Sequence, residues 1–199
     1  MHYDYIDIGT SDFDTCLNFI NNTETALLVD PLAYYLNRLP STPNVIKDDV
    51  AISNIPSKSK VYFVPDDTIS KYNMPFWIRG CNRINLRHPG VDHYLIENNL
   101  SLNLVESVDV DVITFDILCQ KHKIESIGSL KIDTEGDEEY ILPDVLRKTK
   151  QGFLINNIKF ENQKDLGNKS LLDSIRDEFI TIGYSLIEQT DQDVVLSRR

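Results

Sequence analysis

Strand-length apolar runs alternate with helix-period segments along most of this chain, and that rhythm constrains the fold more than any other feature. Residues 3–9 read as a buried strand with Tyr5, Ile6 and Ile8, after which Phe13, Cys16, Leu17 and Ile20 recur at helical spacing. The unit repeats. Residues 26–29 read as a second strand ending on Asp30, and Pro31 opens a helix with Leu32, Tyr35, Leu36 and Leu39 on one face before Pro40 stops it. Further strands are expected at 44–53, 61–64, 129–133 and 153–161, with a helix over 113–121. Another helix starts near Asp137 and should be interrupted or kinked at Pro143. Ser170 reads as the cap of an amphipathic helix carrying Leu171, Leu172, Ile175, Phe179 and Ile182 and closed by Gly183; residues 184–188 and 194–197 then form a hairpin. Such alternation predicts an α/β doubly wound fold: a mostly parallel sheet with helices on both faces, plus an antiparallel strand from the hairpin.

At 199 residues the chain is read as a single domain. Residues 66–107 break the pattern and read as an insertion forming a substrate or lid region. It holds the only tryptophan, Trp77, with Arg79, Arg83, Arg87, His88 and His93, a basic island in a chain of net charge −11. That acidity argues against nucleic acid and anionic membrane as partners. Cys16, Cys81 and Cys119 show no CxxC spacing and suit idle thiols in a reducing compartment. No run approaches ~20 apolar residues, and no basic-then-apolar leader follows Met1, so the expected location is cytoplasmic.

The loop Asp7-Ile8-Gly9-Thr10-Ser11-Asp12-Phe13 sits where such folds bind a cofactor, at the end of the first strand. A dinucleotide would need GxGxxG there, and only Gly9 is present. One glycine turn through Thr10 and Ser11, with Asp7 to receive an amino group, suits a nucleoside without phosphates. Asp30, roughly 20 residues beyond, stands where an acid accepts both ribose hydroxyls, next to Pro31. Asp49, beside Val50, is a candidate partner for an adenine amino group. Each has a structural alternative: Ser11, Asp12 or Asp30 as a helix cap, Asp49 as a turn residue.

The hexamer Lys131-Ile132-Asp133-Thr134-Glu135-Gly136 resembles the K-x-D-x-E-G signature of the FkbM-type methyltransferases, and Ile113-Thr114-Phe115-Asp116 resembles the segment leading into it. Asp7-Ile8-Gly9, Val29-Asp30-Pro31 and Asp49-Val50-Ala51-Ile52-Ser53 match the other blocks in order. The resemblance implies a seven-stranded Rossmann-like methyltransferase sheet, S-adenosylmethionine as cofactor, and methylation of a hydroxyl oxygen, often on a sugar, glycan or other small molecule. Phe13 stands where relatives usually have glycine and Asp30 where they have glutamate. The leading helices that commonly cover cofactor and acceptor have no counterpart here, so the insertion or a second subunit of a homo-oligomer is expected to close the site.

Methyl transfer to oxygen needs alignment, exclusion of water and a base for a feeble nucleophile. Asp133, Glu135 and Glu161 end neighbouring strands and are the candidate bases, with His88 and His93 as rivals. A divalent metal on the same carboxylates is the less favoured alternative, since Lys131 lies close in sequence. Arg79, Arg83 and Arg87, spaced by four, are expected to share a helix face and clamp an anionic acceptor. Trp77 and Phe76 suit a stacking floor for a sugar ring. The competing readings are a non-catalytic nucleoside-binding module and an N- or carboxyl-directed methyltransferase acting on protein.

Overall fold

A computed structural model describes residues 1–162 and 167–199. Seven strands make the main sheet: β1 (His2–Ile8), β2 (Ala26–Val29), β3 (Val45–Asp48), β8 (Ser126–Ile132), β9 (Leu154–Glu161), β10 (Tyr184–Gln189) and β11 (Asp193–Arg198). Their order is β10-β11-β9-β8-β1-β2-β3. The strands from β3 to β9 run parallel, while β11 lies antiparallel to both β9 and β10. This mixed sheet with flanking helices is the seven-stranded Rossmann-like arrangement expected, and the terminal hairpin is where the sequence puts it. The order reverses at β1, whose neighbours β2 and β8 leave on opposite sides, so the crevice for ligands lies beyond the carboxyl ends of these three strands.

Helices α4 (Phe115–Lys121), α5 (Glu138–Lys150) and α6 (Lys169–Thr181) pack Phe115, Leu118, Ile141, Leu142, Val145, Leu172, Ile175 and Phe179 onto one face of the sheet, against Ile6, Ile8, Leu130, Ile132, Ile158 and Phe160. Helix α5 runs from Glu138 to Lys150 without an interruption at Pro143. The cap of α6 is Asn168, whose side chain accepts from the Leu171 amide, rather than Ser170. On the opposite face, α1 (Ala33–Arg38) joins Cys16, Ala26, Leu28, Leu36 and Leu39 in a small core over β1 and β2. Beyond β1 that face carries half-buried Ser129, Lys131, Asn157 and Lys159, which line a shallow groove, so the expected helices on both faces cover only part of the second one.

The helix expected after Gly9 is reduced to one 3-10 turn, Cys16–Asn18. Its preceding loop is pinned from outside: Asp7 Oδ2 accepts from the Cys16 amide at 2.9 Å and the Thr10 hydroxyl at 3.0 Å, and Lys131 Nζ reaches the Asp14 carboxylate at 2.7 Å. The single strand expected at 44–53 is two, β3 in the main sheet and β4 (Ala51–Ile52) in a second one. That second sheet, ordered β4-β7-β5-β6, also contains β5 (Ser57–Phe63), β6 (Arg83–Ile84) and β7 (Glu106–Ile113). Between β5 and β7 lie α2 (Asp66–Lys71), the 3-10 turn Phe76–Arg79 and α3 (Pro89–Glu97), which pack Val64, Ile69, Met74, Ile78, Val91 and Leu95 into a core of their own.

Candidate functional site

Beyond the carboxyl ends of β1, β2 and β8 opens a cleft whose empty space, open mouth included, is about 530 Å³. Strand ends supply Ile8, Gly9, Val29, Asp30 and Pro31; the chain after β3 supplies Val50, Ala51 and Ile52; the turn after β8 supplies Asp133, Thr134, Glu135 and Asp137; the insertion adds Gly80, Asn82 and Ile84. Gly9 is required by close approach. Its φ is +81°, and a Cβ there would overlap the Asp133 carbonyl, so the turns after β1 and β8 touch backbone to backbone.

On the β2 side, Asp30 is buried and both its oxygens are engaged: Oδ2 accepts the Ser11 amide at 3.0 Å and Oδ1 the Leu32 amide at 2.7 Å. Burial pushes its carboxyl up to about 7, against those two bonds. The capping and binding roles are compatible, because each oxygen keeps a further lone pair and the residue lines the cleft. Ser11 and Pro31 line it too. Asp7 and Thr10 do not: they are buried against each other, holding the 10–16 loop. Asp49 is exposed, while its neighbours Val50, Ala51 and Ile52 form an apolar wall suited to a purine. The residues fit a nucleoside: an apolar slot beside a carboxylate, with no cluster of amides or glycines for a pyrophosphate.

On the β8 side the carboxylates of Asp133, Glu135 and Glu161 converge, an oxygen from each lying within 4.8 Å of the others. Burial raises the Asp133 carboxyl above its usual range despite Lys131 Nζ at 3.3 Å. Burial, with Asp133 and Glu138 beside it, pushes Glu135 up to about 8. Glu135 has φ +58°, and Glu138 explains how the turn is held there. Its buried carboxylate accepts the Thr134 amide at 2.5 Å, the Thr134 hydroxyl at 2.7 Å and the Gly136 amide at 2.9 Å, so the turn wraps around a single side chain from the first turn of α5.

From the insertion, His88 reaches Glu135, Nε2 to Oε2 at 3.2 Å. His88 caps α3, and its Nδ1 accepts the Gly90 amide at 3.1 Å. A neutral imidazole has one proton, which Nδ1 as acceptor leaves on Nε2, so His88 donates to Glu135. Burial, reinforced by Arg83, lowers its pKa to about 4, in keeping with the neutral form. His88 in this geometry is therefore a positioning donor and not a base. Cys81, His88 and Glu135 also bring one donor atom each within 4.8 Å, but Nε2 cannot hold its proton and a metal at once, so the tautomer opposes an ion there.

Other insertion residues depart from expectation. Arg79, Arg83 and Arg87 share no helix face, because Arg79 ends the 3-10 turn, Arg83 begins β6 and Arg87 lies in the loop before α3, where it pairs with Asp92 at 3.1 Å. Arg79 is a strap. It bonds Asp12 at 2.6 Å and Asp66 at 2.9 Å, and its guanidinium lies within 5.1–5.8 Å of the rings of Phe13, Tyr35 and Phe76. Phe13, the residue in place of a glycine, thus stitches the cofactor loop to the insertion. Trp77 is 46% exposed, edge-on to Tyr94, and lies outside the cleft lining, as does Phe76, while His93 is turned to solvent beside Glu97. Arg83 lies close enough to His88, Glu135 and Asp137 to bias their titration. The sequence reading passed over Asn82, Asp137 and Glu138. Asp137, pushed up to about 6 by burial, accepts the Ser53 hydroxyl at 3.0 Å and lines the cleft.

A cleft at the reversal point of a mixed sheet, with an acid at the second strand end and clustered carboxylates opposite, is where open α/β folds of this kind bind their ligands. The family model of the methyltransferase FkbM domain matches residues 7–186, and the chain belongs to that family of methyltransferases. Comparison with curated proteins and with solved structures gives no match. Among the described residues no helix is long and apolar enough to cross a membrane.

Proposed function

We propose that this chain is an S-adenosylmethionine-dependent O-methyltransferase acting on a hydroxyl, most simply that of a sugar or glycan. The observation that carries the reading is the meeting of Asp133, Glu135 and Glu161 at the β8 side of a cleft whose β2 side holds Asp30 against an apolar wall. When bound, the cofactor supplies an electrophilic methyl group on a sulfonium. Asp30 would accept ribose hydroxyls, and Val50, Ala51 and Ile52 would cover the purine. Glu135, ionised, would take the acceptor's hydroxyl proton. His88 holds Glu135 by its Nε2 proton, and Lys131 steadies Asp133. Arg83 and Trp77 remain candidates for contact with the acceptor, through the rim that the insertion forms.

The test is methyl transfer from S-adenosylmethionine to a panel of mono- and oligosaccharides, run beside peptides and small carboxylic acids, with calorimetric binding of S-adenosylhomocysteine in parallel. Methylated hydroxyls on a sugar support the reading. Transfer to peptide nitrogen or to carboxylates replaces the acceptor class, and binding without any turnover identifies a nucleoside-binding module instead.

A further inference from the structure

Asn82 presents an acceptor that the protein does not use. Its Nδ2 donates to the Arg79 carbonyl at 3.0 Å and lies 3.5 Å from the Tyr35 hydroxyl, while its Oδ1 is buried without a hydrogen-bond partner. The orientation of the amide follows from these neighbours. Reversing it would set Oδ1 against the Arg79 carbonyl, acceptor against acceptor, and that carbonyl already receives the Tyr35 hydroxyl proton at 2.7 Å. Arg79 is itself fixed by Asp12 and Asp66, so the platform under Asn82 is rigid. Buried acceptors in folded proteins nearly always find a donor, and one left over in the lining of a cleft calls for a donor from a ligand.

We infer that Asn82, carried by the insertion, is a recognition residue for the nucleoside part of the cofactor, its Oδ1 accepting a proton from a ribose hydroxyl or the purine amino group. The choice of the nucleoside over the methyl acceptor rests on location. Tyr35 belongs to α1, the helix that follows Asp30 and Pro31, so the Tyr35–Asn82 contact ties Asn82 to the β2 side of the cleft, while its chain neighbours Cys81 and Arg83 reach towards Glu135 on the β8 side. Ala51 and Ile84 line the same cleft and belong to one apolar cluster with Tyr35. The insertion thereby does more than line the site: it reads the cofactor.

The inference rests on the cofactor proposed above, and the test separates the two. Calorimetry on the full chain would compare S-adenosylhomocysteine with its 2′-deoxy, 3′-deoxy and 6-deamino analogues in the wild type and in Asn82→Leu, a change of similar volume, and Asn82→Ser, with thermal unfolding as the check on folding. The expected result is at least a tenfold loss of affinity in Asn82→Leu, together with insensitivity of that variant to one of the three analogues that weakens wild-type binding, the mark of a direct contact. If Asn82→Leu fails to fold, the same loss of analogue sensitivity is read in Asn82→Ser. Wild-type affinity within twofold in a folded variant overturns the inference, as does equal sensitivity of variant and wild type to all three analogues. A rise in acceptor KM with cofactor affinity intact overturns it in favour of an acceptor contact. Failure of the wild type to bind S-adenosylhomocysteine at all overturns the cofactor reading, and the inference falls with it.

Discussion

The two sides of the cleft are built in different ways. On the β2 side, the strand ends and their backbone amides do most of the work: Asp30 is fixed by the Ser11 and Leu32 amides, and the apolar wall is one short stretch of chain. On the β8 side decisive contacts come from far apart in sequence, with Glu161 arriving from β9 and His88 from the insertion, while Glu138 holds the turn locally from the start of α5. Binding is assigned to the rigid frame and chemistry to the place where several elements must meet. A substitution on the first side should therefore act on affinity, and one on the second on turnover.

The sharpest way to break this contrast is Glu135→Gln. It should leave S-adenosylhomocysteine affinity near that of the wild type and lower kcat by roughly 10²–10⁴, the usual worth of positioned proton transfer. Because the base works ionised and Glu135 is pushed up to about 8 in the free protein, wild-type kcat/KM should rise with pH through about 8, and the variant should lose that rise. Near-normal turnover in Glu135→Gln would move the role to Asp133 or Glu161, to be read from Asp133→Asn and Glu161→Gln. Asp30→Ala should do the reverse, weakening cofactor binding at least tenfold, in keeping with the ~1.5–3 kcal/mol of hydrogen bonds to a charged group. Unchanged affinity by calorimetry would remove Asp30 from the ribose.

The smallest effect concerns the joint between the two sides. Arg79→Met removes two ion pairs while keeping most of the apolar stem, and should cost about 2 kcal/mol, seen as a fall in Tm of roughly 4–8 °C for a chain of this size. Its kcat and its cofactor affinity should both fall, since the same insertion carries Asn82 and delivers His88 to Glu135. A fall in kcat alone would mean that the insertion serves only the β8 side, and would sharpen the comparison.

The β2 side was the more legible in the sequence because its parts are short stretches of chain at strand ends. A strand run, a glycine turn, an acid at the second strand end and a proline after it are short-range signals, and each sits where expected. The convergence of Asp133, Glu135 and Glu161 was legible through their strand ends. What the sequence hid was set by tertiary partners. The helical spacing of Phe13, Cys16 and Leu17 lost to the side-chain bonds of Asp7 and Lys131. The four-residue spacing of the arginines meant nothing once Gly80 and β6 broke the segment. Strand β7 carried a two-residue beat in Val108, Val110 and Val112, yet of its partners β4 is two residues long and β5 is polar at its outer positions, and they gave little support. Asn82 and Glu138 left no periodic trace, since an orphan acceptor and a caged carboxylate exist only in three dimensions.

The groove that leaves part of the sheet uncovered changes what its strands will tolerate. Ser129, Asn157 and Lys159 sit in the middle of a seven-stranded sheet, where a reader of the topology would expect the least freedom of any position, and yet they meet a half-exposed groove. Ile158 and Phe160, their alternate neighbours on β9, are wholly enclosed under α5 and α6. Randomisation along β9 should thus give a two-beat pattern of permissive and forbidden sites, making central strands of this protein readable as surface on every second residue and leaving their outward positions open to redesign without disturbing the cleft.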